Sequence, residues 1–362
     1  MNNLLEMLVC PACKSEGSES NLVVADEQAL SCPRCASIYP AIGVQSFRIL
    51  KKDVGKTKET LAAFWGDLYR QLYSETELLN KMELRHQLDL LQDYFKKQRH
   101  LAVTEVDLAT LAGKVVLEIG SGSGAHSALF RAYGAQVISM DLTPERVVST
   151  QRMVSSVDDG VGDYLCLHAD AESIPLRSNS VDMVYSNGVL HHSPRTDKCI
   201  AEVHRVLKPG AVSAMMLYCR TSALFFTLWL WQGLLNASRF KRREEEWLGR
   251  ITEGKPVNQE EFNPVTRVYS HAQLVELLND FEILSLRKSS FEFGHLLPRG
   301  NGLLNKALQS ITGKRVHPGG FLVYGENGIV QSGIECWLSR LLGFDWNILV
   351  KKGSENSSRP QH

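Results

Sequence analysis

Apolar positions in the middle of the chain alternate between two rhythms. "KVVLEIG" is a short, nearly continuous apolar run ending in glycine, while "SALFRAYG" spaces its apolar residues three and four apart and closes at Gly134. The alternation then repeats. "AQVISMD", "DYLCLHAD", "SVDMVYSNG" and "AVSAMMLY" read as buried strands. "TPERVVSTQRMVSS" reads as a helix with Thr143 as N-cap and Pro144 at its first position, and "RTDKCIAEVHRVLKPG" as another. Strands alternating with helices predict a parallel sheet covered on both faces. Upstream, residues 56–97 show helical periodicity without proline ("ETLAAFWGDLYRQLY", "LRHQLDLLQDYFKK"), and residues 1–50 hold only short β-like runs, "NLVVA", "QALSC" and "SIYPAIG". After Tyr218 the pattern is irregular: an aromatic-rich apolar segment, the charge cluster "KRREEE", the helix-like "SHAQLVELLND" and a last strand-like "WNILVKK". The polar tail "GSENSSRPQH" reads as disordered.

Composition narrows the class. The 362 residues carry 40 basic and 40 acidic side chains, so nothing in the overall charge favours a polyanion such as nucleic acid. The start, "MNNLLEMLVCPACK", lacks the basic residues and long apolar run of a signal peptide. No stretch reaches the roughly 18 apolar residues of a membrane span. Of eight cysteines, four form two tight pairs, which suits an intracellular metal site better than a disulfide framework. The expected location is the cytoplasm.

The loop "VLEIGSGSGAHS" carries the first chemical signal. Gly120 and Gly122 with Ala125 satisfy the dinucleotide fingerprint, whereas Glu118 with Gly120, Gly122 and Gly124 satisfies a pattern found around S-adenosylmethionine. A dinucleotide would bring a pyrophosphate, which a nearby carboxylate repels. S-adenosylmethionine brings a sulfonium and an ammonium, which Glu118 would favour. No G-K-[ST] follows, so the loop is not a phosphate-cradling P-loop. Asp141 lies 21 residues beyond Gly120, at a strand end where a carboxylate can accept ribose hydroxyls in either kind of site.

The motifs that follow separate the two. "VLEIGSGSG", "ISMDLTPERV", "LHADAESIPLRSNSVDMVYSNGVLHH" and "IAEVHRVLKPG" occur in order, and from Val116 to Ala211 the chain resembles the class I S-adenosylmethionine-dependent methyltransferases. Ala211 departs from the family, which usually has a second glycine there. The resemblance implies a Rossmann-like α/β sheet of seven strands with the last antiparallel, and "WNILVKK" is the candidate for that strand. It also implies that Glu118, Gly120, Gly122 and Gly124 surround the methionine part of the cofactor and Asp141, followed by Leu142, holds the ribose. Asp170 would accept from the adenine amino group with Ala171 beside it, and Asn187 would border the transferring methyl.

Cys10-Pro-Ala-Cys13 and Cys32-Pro-Arg-Cys35 stand 18 residues apart, a structural zinc spacing. Four thiolates fill a tetrahedral shell, so the ion would be structural. "LLEMLVCPAC" with "LSCPRCASIYPAIGV" resembles a zinc-ribbon family that includes a eukaryotic activator of tRNA, rRNA and protein methyltransferases. The resemblance implies a built-in version of that activator. The expected division is a zinc ribbon (1–50), a helical linker or cap (51–110), a cofactor-binding core (111–218), the rest of the fold with acceptor-side insertions (219–352) and a tail (353–362).

Methyl transfer requires an in-line approach and, for an alcohol, phenol or carbon acid, a base. His191 and His192 follow a strand at the carboxyl edge of the sheet, and either is a candidate base. The [DN]-PP-[YF] signature of adenine or glutamine amino-group methylation is replaced by "SNGVLHH", which counts against those nitrogens but not against oxygen, carbon or other nitrogens. Two acceptor classes stay open: a small or lipid-like metabolite methylated on oxygen or carbon, and a tRNA or protein. In "SALFFTLWLWQGLLNASRFKRR", apolar residues cover nearly all sides of a helix. That segment is either a cap over the sheet or the wall of an apolar acceptor pocket, with at most peripheral membrane contact.

Overall fold

The computed structural model describes residues 3–26, 28–51, 53–72, 79–157, 162–235, 243–253, 262–296, 310–311 and 315–354. The expected disordered tail lies almost wholly outside them.

The first fifty residues form a short helix α1 (Pro11–Ser15) and four strands, β1 (Val23–Asp26), β2 (Ala29–Ser31), β3 (Ile38–Gly43) and β4 (Ser46–Arg48). Helices α2 (Lys56–Leu72), α3 (Lys81–Gln98) and α4 (Leu101–Thr104) follow. Asn80 and Glu83 close a capping box at the start of α3, accepting and returning one backbone hydrogen bond each. The predicted alternation then appears as β5 (Val115–Ile119), α5 (Ala125–Ala132), β6 (Gln136–Asp141), α6 (Pro144–Ser155), β7 (Tyr164–His168), β8 (Val181–Asn187), α7 (Thr196–Val206) and β9 (Leu207–Tyr218). Thr143 is the N-cap residue of α6 without a side-chain cap; the carboxylate of Asp141 accepts from its backbone N–H instead. The irregular region contains α8 (Ala223–Leu235), α9 (Glu244–Thr252), α10 (His271–Leu277), β10 (Phe281–Ser289), β11 (Arg315–His317), α11 (Phe321–Tyr324), β12 (Gly328–Val330), α12 (Gly333–Leu342) and β13 (Asp345–Lys352).

The central sheet runs β7-β6-β5-β8-β9-β13-β10. Its first five strands are parallel, and β13, which contains "WNILVKK", inserts antiparallel to both β9 and β10. This is the seven-stranded Rossmann-like methyltransferase arrangement. One face packs Phe95, Leu91, Phe130 and Tyr185 beneath α3 and α5, and the other packs Ile138, Leu165, Val184 and Leu217 with Val203 of α7.

The ribbon continues this sheet. β4 pairs in parallel with β7, Phe47 opposite Leu167, so the sheet extends to eleven strands and the edge of β7 is covered. Leu4, Leu8, Leu22 and Leu30 are buried in the same apolar cluster as Ile138 and Leu165. Lys14 pairs with Glu202, and Arg205 with Glu19, across the same junction.

In α8, Leu228 is buried against Trp247, Leu248, Ile251, Val268 and Phe344, while Phe226 and Trp229 are exposed. The side chain of Trp231 and residues 236–242, with the basic cluster up to Arg242, fall outside the described residues. No described helix is long and apolar enough to cross a membrane.

Candidate active site

A cleft of about 760 Å³ opens at the carboxyl edge of the sheet, at the ends of β5, β6, β7 and β8. It gathers Gly120, Gly122, Asp141, Leu142, Asp170, Ala171 and His192. Gly120 has φ +79°, and a β-carbon there would stand 2.2 Å from Cγ2 of Val189. At Gly122, φ +52°, a β-carbon would meet nothing within 4 Å, so the backbone is bare where a ligand can approach.

Asp141 is held by its own loop. Its Oδ1 accepts from the Thr143 N–H at 2.9 Å and its Oδ2 from the Gly122 N–H at 3.3 Å, and burial raises its pKa despite both bonds. The Oδ1 of Asp170 accepts from the Glu172 N–H at 2.9 Å. Its Oδ2 lies 2.5 Å from Nζ of Lys58, which also reaches Glu172 at 2.7 Å. Burial disfavours the Lys58 charge, yet the two carboxylates outweigh it and hold its pKa raised. Lys58 thereby fastens α2 over the cleft, and Leu61, Ala62, Trp65 and Tyr69 of the same helix supply its apolar roof. The helical period over 56–97 announced this helix, but nothing in the sequence pointed Lys58 at Asp170.

Four expected site residues do not line this cleft. Glu118 is buried beneath the glycine loop, where Ser127 donates to it and Nδ1 of His126 lies 3.4 Å away. Gly124 packs against Thr150. His191 is sealed against the ring of Tyr218, centroids 3.9 Å apart, and burial keeps it neutral. Asn187 faces a second cavity of about 780 Å³ bounded by α3, β9, β10 and β13. That cavity adjoins the cleft: Asn187 lines one and Gly188 the other, and the Met216 methyl, on the second cavity's wall, lies 3.3 Å from where a Gly188 β-carbon would be.

His192 lines the cleft 5.0 Å from Trp65, centroid to centroid. Its Nδ1 lies 3.1 Å from the Val265 carbonyl, 2.9 Å from Nδ2 of Asn263 and 3.2 Å from the Thr266 hydroxyl. Its Nε2 faces Glu253 at 3.8 Å. Burial lowers its pKa, with Glu253 opposing. The ring ties the loop after β8 to residues 263–266.

The sulfurs of Cys10, Cys13, Cys32 and Cys35 all lie within 4.8 Å of one another, and none forms a disulfide. Cys10–Cys35 and Cys13–Cys32 separations are 3.6 and 3.7 Å. A tetrahedron with Zn–S of about 2.3 Å has S···S edges of about 3.8 Å. The four thiols therefore fit a zinc ion and leave it no open position.

The fold and the site define a Rossmann-like methyltransferase sheet joined to a four-cysteine ribbon. Residues 117–215 match the methyltransferase domain family and residues 2–41 the Trm112p-like protein family, so one chain carries both domains. A malonyl-[acyl-carrier protein] O-methyltransferase of Methylovorus sp. is 31% identical over 150 residues, 38% of this chain and 50% of the relative. A demethylmenaquinone methyltransferase of Clavibacter sepedonicus is 34% identical over 103 residues, 28% of this chain and 40% of the relative. The chain thus spans half or less of the length of these relatives. Among solved structures, a Haloferax volcanii complex of the Trm112 methyltransferase activator with a methyltransferase aligns at TM-score 0.43 and 15% identity, covering 73% of this chain and 93% of that one. Magnesium protoporphyrin IX methyltransferase from Synechocystis aligns at 0.46 and 13%, covering 82% and 100%.

Proposed function

We propose that the chain is an S-adenosylmethionine-dependent methyltransferase for a small-molecule acceptor, with a structural zinc ribbon built in. The observation that carries this reading is the convergence of Gly120, Gly122, Asp141 and Asp170 on one cleft within the matched methyltransferase domain. When bound, S-adenosylmethionine supplies a methyl carbon on a cationic sulfur. The glycine loop, with its bare backbone at Gly122, receives the methionine part, and Glu118 lies beneath that loop, where a carboxylate favours the cationic ligand. Asp141, already oriented by two backbone N–H groups, accepts from the ribose hydroxyls. Asp170 accepts from the adenine amino group, and Leu142, next to Asp141, and Ala171, next to Asp170, line the cleft. Gly124 serves the loop's packing, and Asn187 borders the methyl from the second cavity. His192, engaged at Nδ1, is assigned to holding the wall of the cleft, and His191, sealed against Tyr218, to packing behind it.

Calorimetry tests the reading directly. S-adenosylmethionine should bind and NAD should not, and Asp141→Ala should weaken binding by about ten- to a hundredfold, the worth of a charge-assisted hydrogen bond of roughly 1.5–3 kcal/mol. Preference for NAD, or an unchanged affinity in the variant, would refute it. The Trm112p-like domain supports a second reading, modification of tRNA or protein. The balance of 40 basic against 40 acidic residues weighs against tRNA. Mass spectrometry of small-molecule and tRNA fractions from cells with and without the gene separates the two.

A further inference from the structure

Helix α12 is turned inside out. Its polar residues face the protein: Glu335 accepts from the Phe293 N–H at 3.1 Å, Ser339 accepts from the Phe291 N–H at 3.0 Å, and both side chains are buried. Its apolar residues Ile334, Trp337, Leu338 and Leu341 follow the i, i+3, i+4, i+7 spacing that ordinarily meets a core, yet Ile334, Trp337 and Leu341 are 57, 59 and 64% exposed. On α8, Phe226 and Trp229 stand exposed with their ring centroids 6.3 Å apart. That helix, expected as a cap or as the wall of an acceptor pocket, contributes no described residue to either cavity.

These residues belong to one face. Lys288 donates to the Thr221 carbonyl, two residues before α8, at 2.9 Å and to the Leu341 carbonyl of α12 at 3.0 Å. The turn Phe293–Leu296 packs against α8, is fastened to α12 through the Phe293 N–H, and leaves Leu296 exposed as well. Exposed apolar residues gathered in this way mark an interaction surface, where single scattered ones do not.

Charge indicates what covers it. Arg340 is exposed beside the stripe on α12, and neither it nor Lys288 pairs with a carboxylate among the described residues. The chain leaves this face at the end of α8 and again after Leu296. By sequence, residues 236–242 and 297–315 bring seven more Lys or Arg and no Asp or Glu. Glu244, Glu245 and Glu246, which follow the first of these stretches, are taken up within the fold by Arg220, Arg267 and Arg243. A second copy docked through the same face would oppose these cations with their own kind. An anionic bilayer surface suits both features, because aromatic rings settle at the headgroup level and Lys and Arg meet the phosphates.

We infer that the face formed by α8, α12 and the turn Phe293–Leu296 docks the protein on an anionic lipid surface, with Phe226, Trp337 and Leu341 entering the headgroup region. The contact is peripheral, since no described helix is long and apolar enough to cross a membrane. None of those three residues lines the cofactor cleft, so the inference stands or falls apart from the methyltransferase reading.

The test is flotation of the zinc-loaded full chain with vesicles of phosphatidylcholine alone and of phosphatidylcholine mixed equally with phosphatidylglycerol, at low and high salt. Trp337→Ala, Phe226→Ala and Arg340→Gln are run beside it, with thermal midpoint and S-adenosylmethionine affinity measured for each. The unaltered chain should bind the mixed vesicles about tenfold or more tighter than the neutral ones and come off as salt rises. Trp337→Ala and Phe226→Ala should each weaken that binding about tenfold, as expected for one large apolar side chain, and Arg340→Gln should weaken it less, while midpoint and cofactor affinity stay unchanged. No binding to the mixed vesicles, or binding that all three variants leave intact, overturns the inference. So does a concentration-dependent dimer, seen by light scattering and abolished in Trp337→Ala, which would assign the face to a second copy. Failure of the unaltered chain to bind S-adenosylmethionine would sink the methyltransferase reading and leave this surface untouched.

Discussion

Replacing Gly120 with alanine puts two separable costs on the cofactor loop. The first is conformational: at φ +79° an L side chain crowds its own carbonyl, at roughly 1–2 kcal/mol. The second is steric. The new β-carbon would sit 2.2 Å from Cγ2, 2.8 Å from Cγ1 and 2.9 Å from Cβ of Val189, whose branched side chain has little rotamer freedom to retreat. Overpacking of this kind costs typically about 1–3 kcal/mol, so Gly120→Ala should destabilise by about 2–5 kcal/mol in total. Val189→Ala removes both γ-carbons and keeps only the 2.9 Å approach, so the double variant should regain most of the steric part and none of the conformational part. A double-mutant cycle by chemical denaturation should then show a favourable coupling of about 1–2 kcal/mol. Calorimetry with S-adenosylmethionine should show the same partial rescue, because both residues line the cleft. Strict additivity, or a Gly120→Ala cost under about 0.5 kcal/mol, would mean that the loop does not need glycine for the reasons given.

Asp345 should give stability a pH slope of unusual sign. Its carboxyl titrates near 7 when folded against 3.8 as the ordinary value, so the folded chain holds the extra proton between these limits and stability falls as pH rises through that window. Asp345→Asn should flatten the slope and be the more stable protein at pH of about 8; a slope that survives the change would show another group is responsible. Metal analysis should find one zinc per chain, and stripping it should loosen more than the ribbon. Because β4 covers the edge of β7 and Leu4 and Leu8 share the core of the sheet, amide protection in β7 should drop on chelation; protection confined to changes within residues 1–50 would contradict that coupling.

Much of this molecule is written in local order. The alternation of short apolar runs with helical periods between Val115 and Tyr218 points to a parallel sheet, because strands apolar on both faces need covering from both sides and the intervening helices supply that cover. The glycine loop and the strand-end acids Asp141 and Asp170 were legible because they sit at fixed distances along the chain from the elements that place them. The two C-x-x-C pairs were legible for the same reason. Tertiary structure decided what touches what across long separations. Nothing near Lys58 marks it as the partner of Asp170, and nothing in "FDWNILV" marks Asp345 as the wall of a cavity beside Asn187. Glu118 shows the same limit from the other side. Its position in the motif was readable, but its burial under the loop with Ser127 and His126 depends on how α5 packs over β5. Likewise, the ribbon's length and cysteines announce a metal-bound unit, while its addition to the edge of β7 follows from backbone N–H and C=O groups that an edge strand leaves open and that no side-chain pattern records.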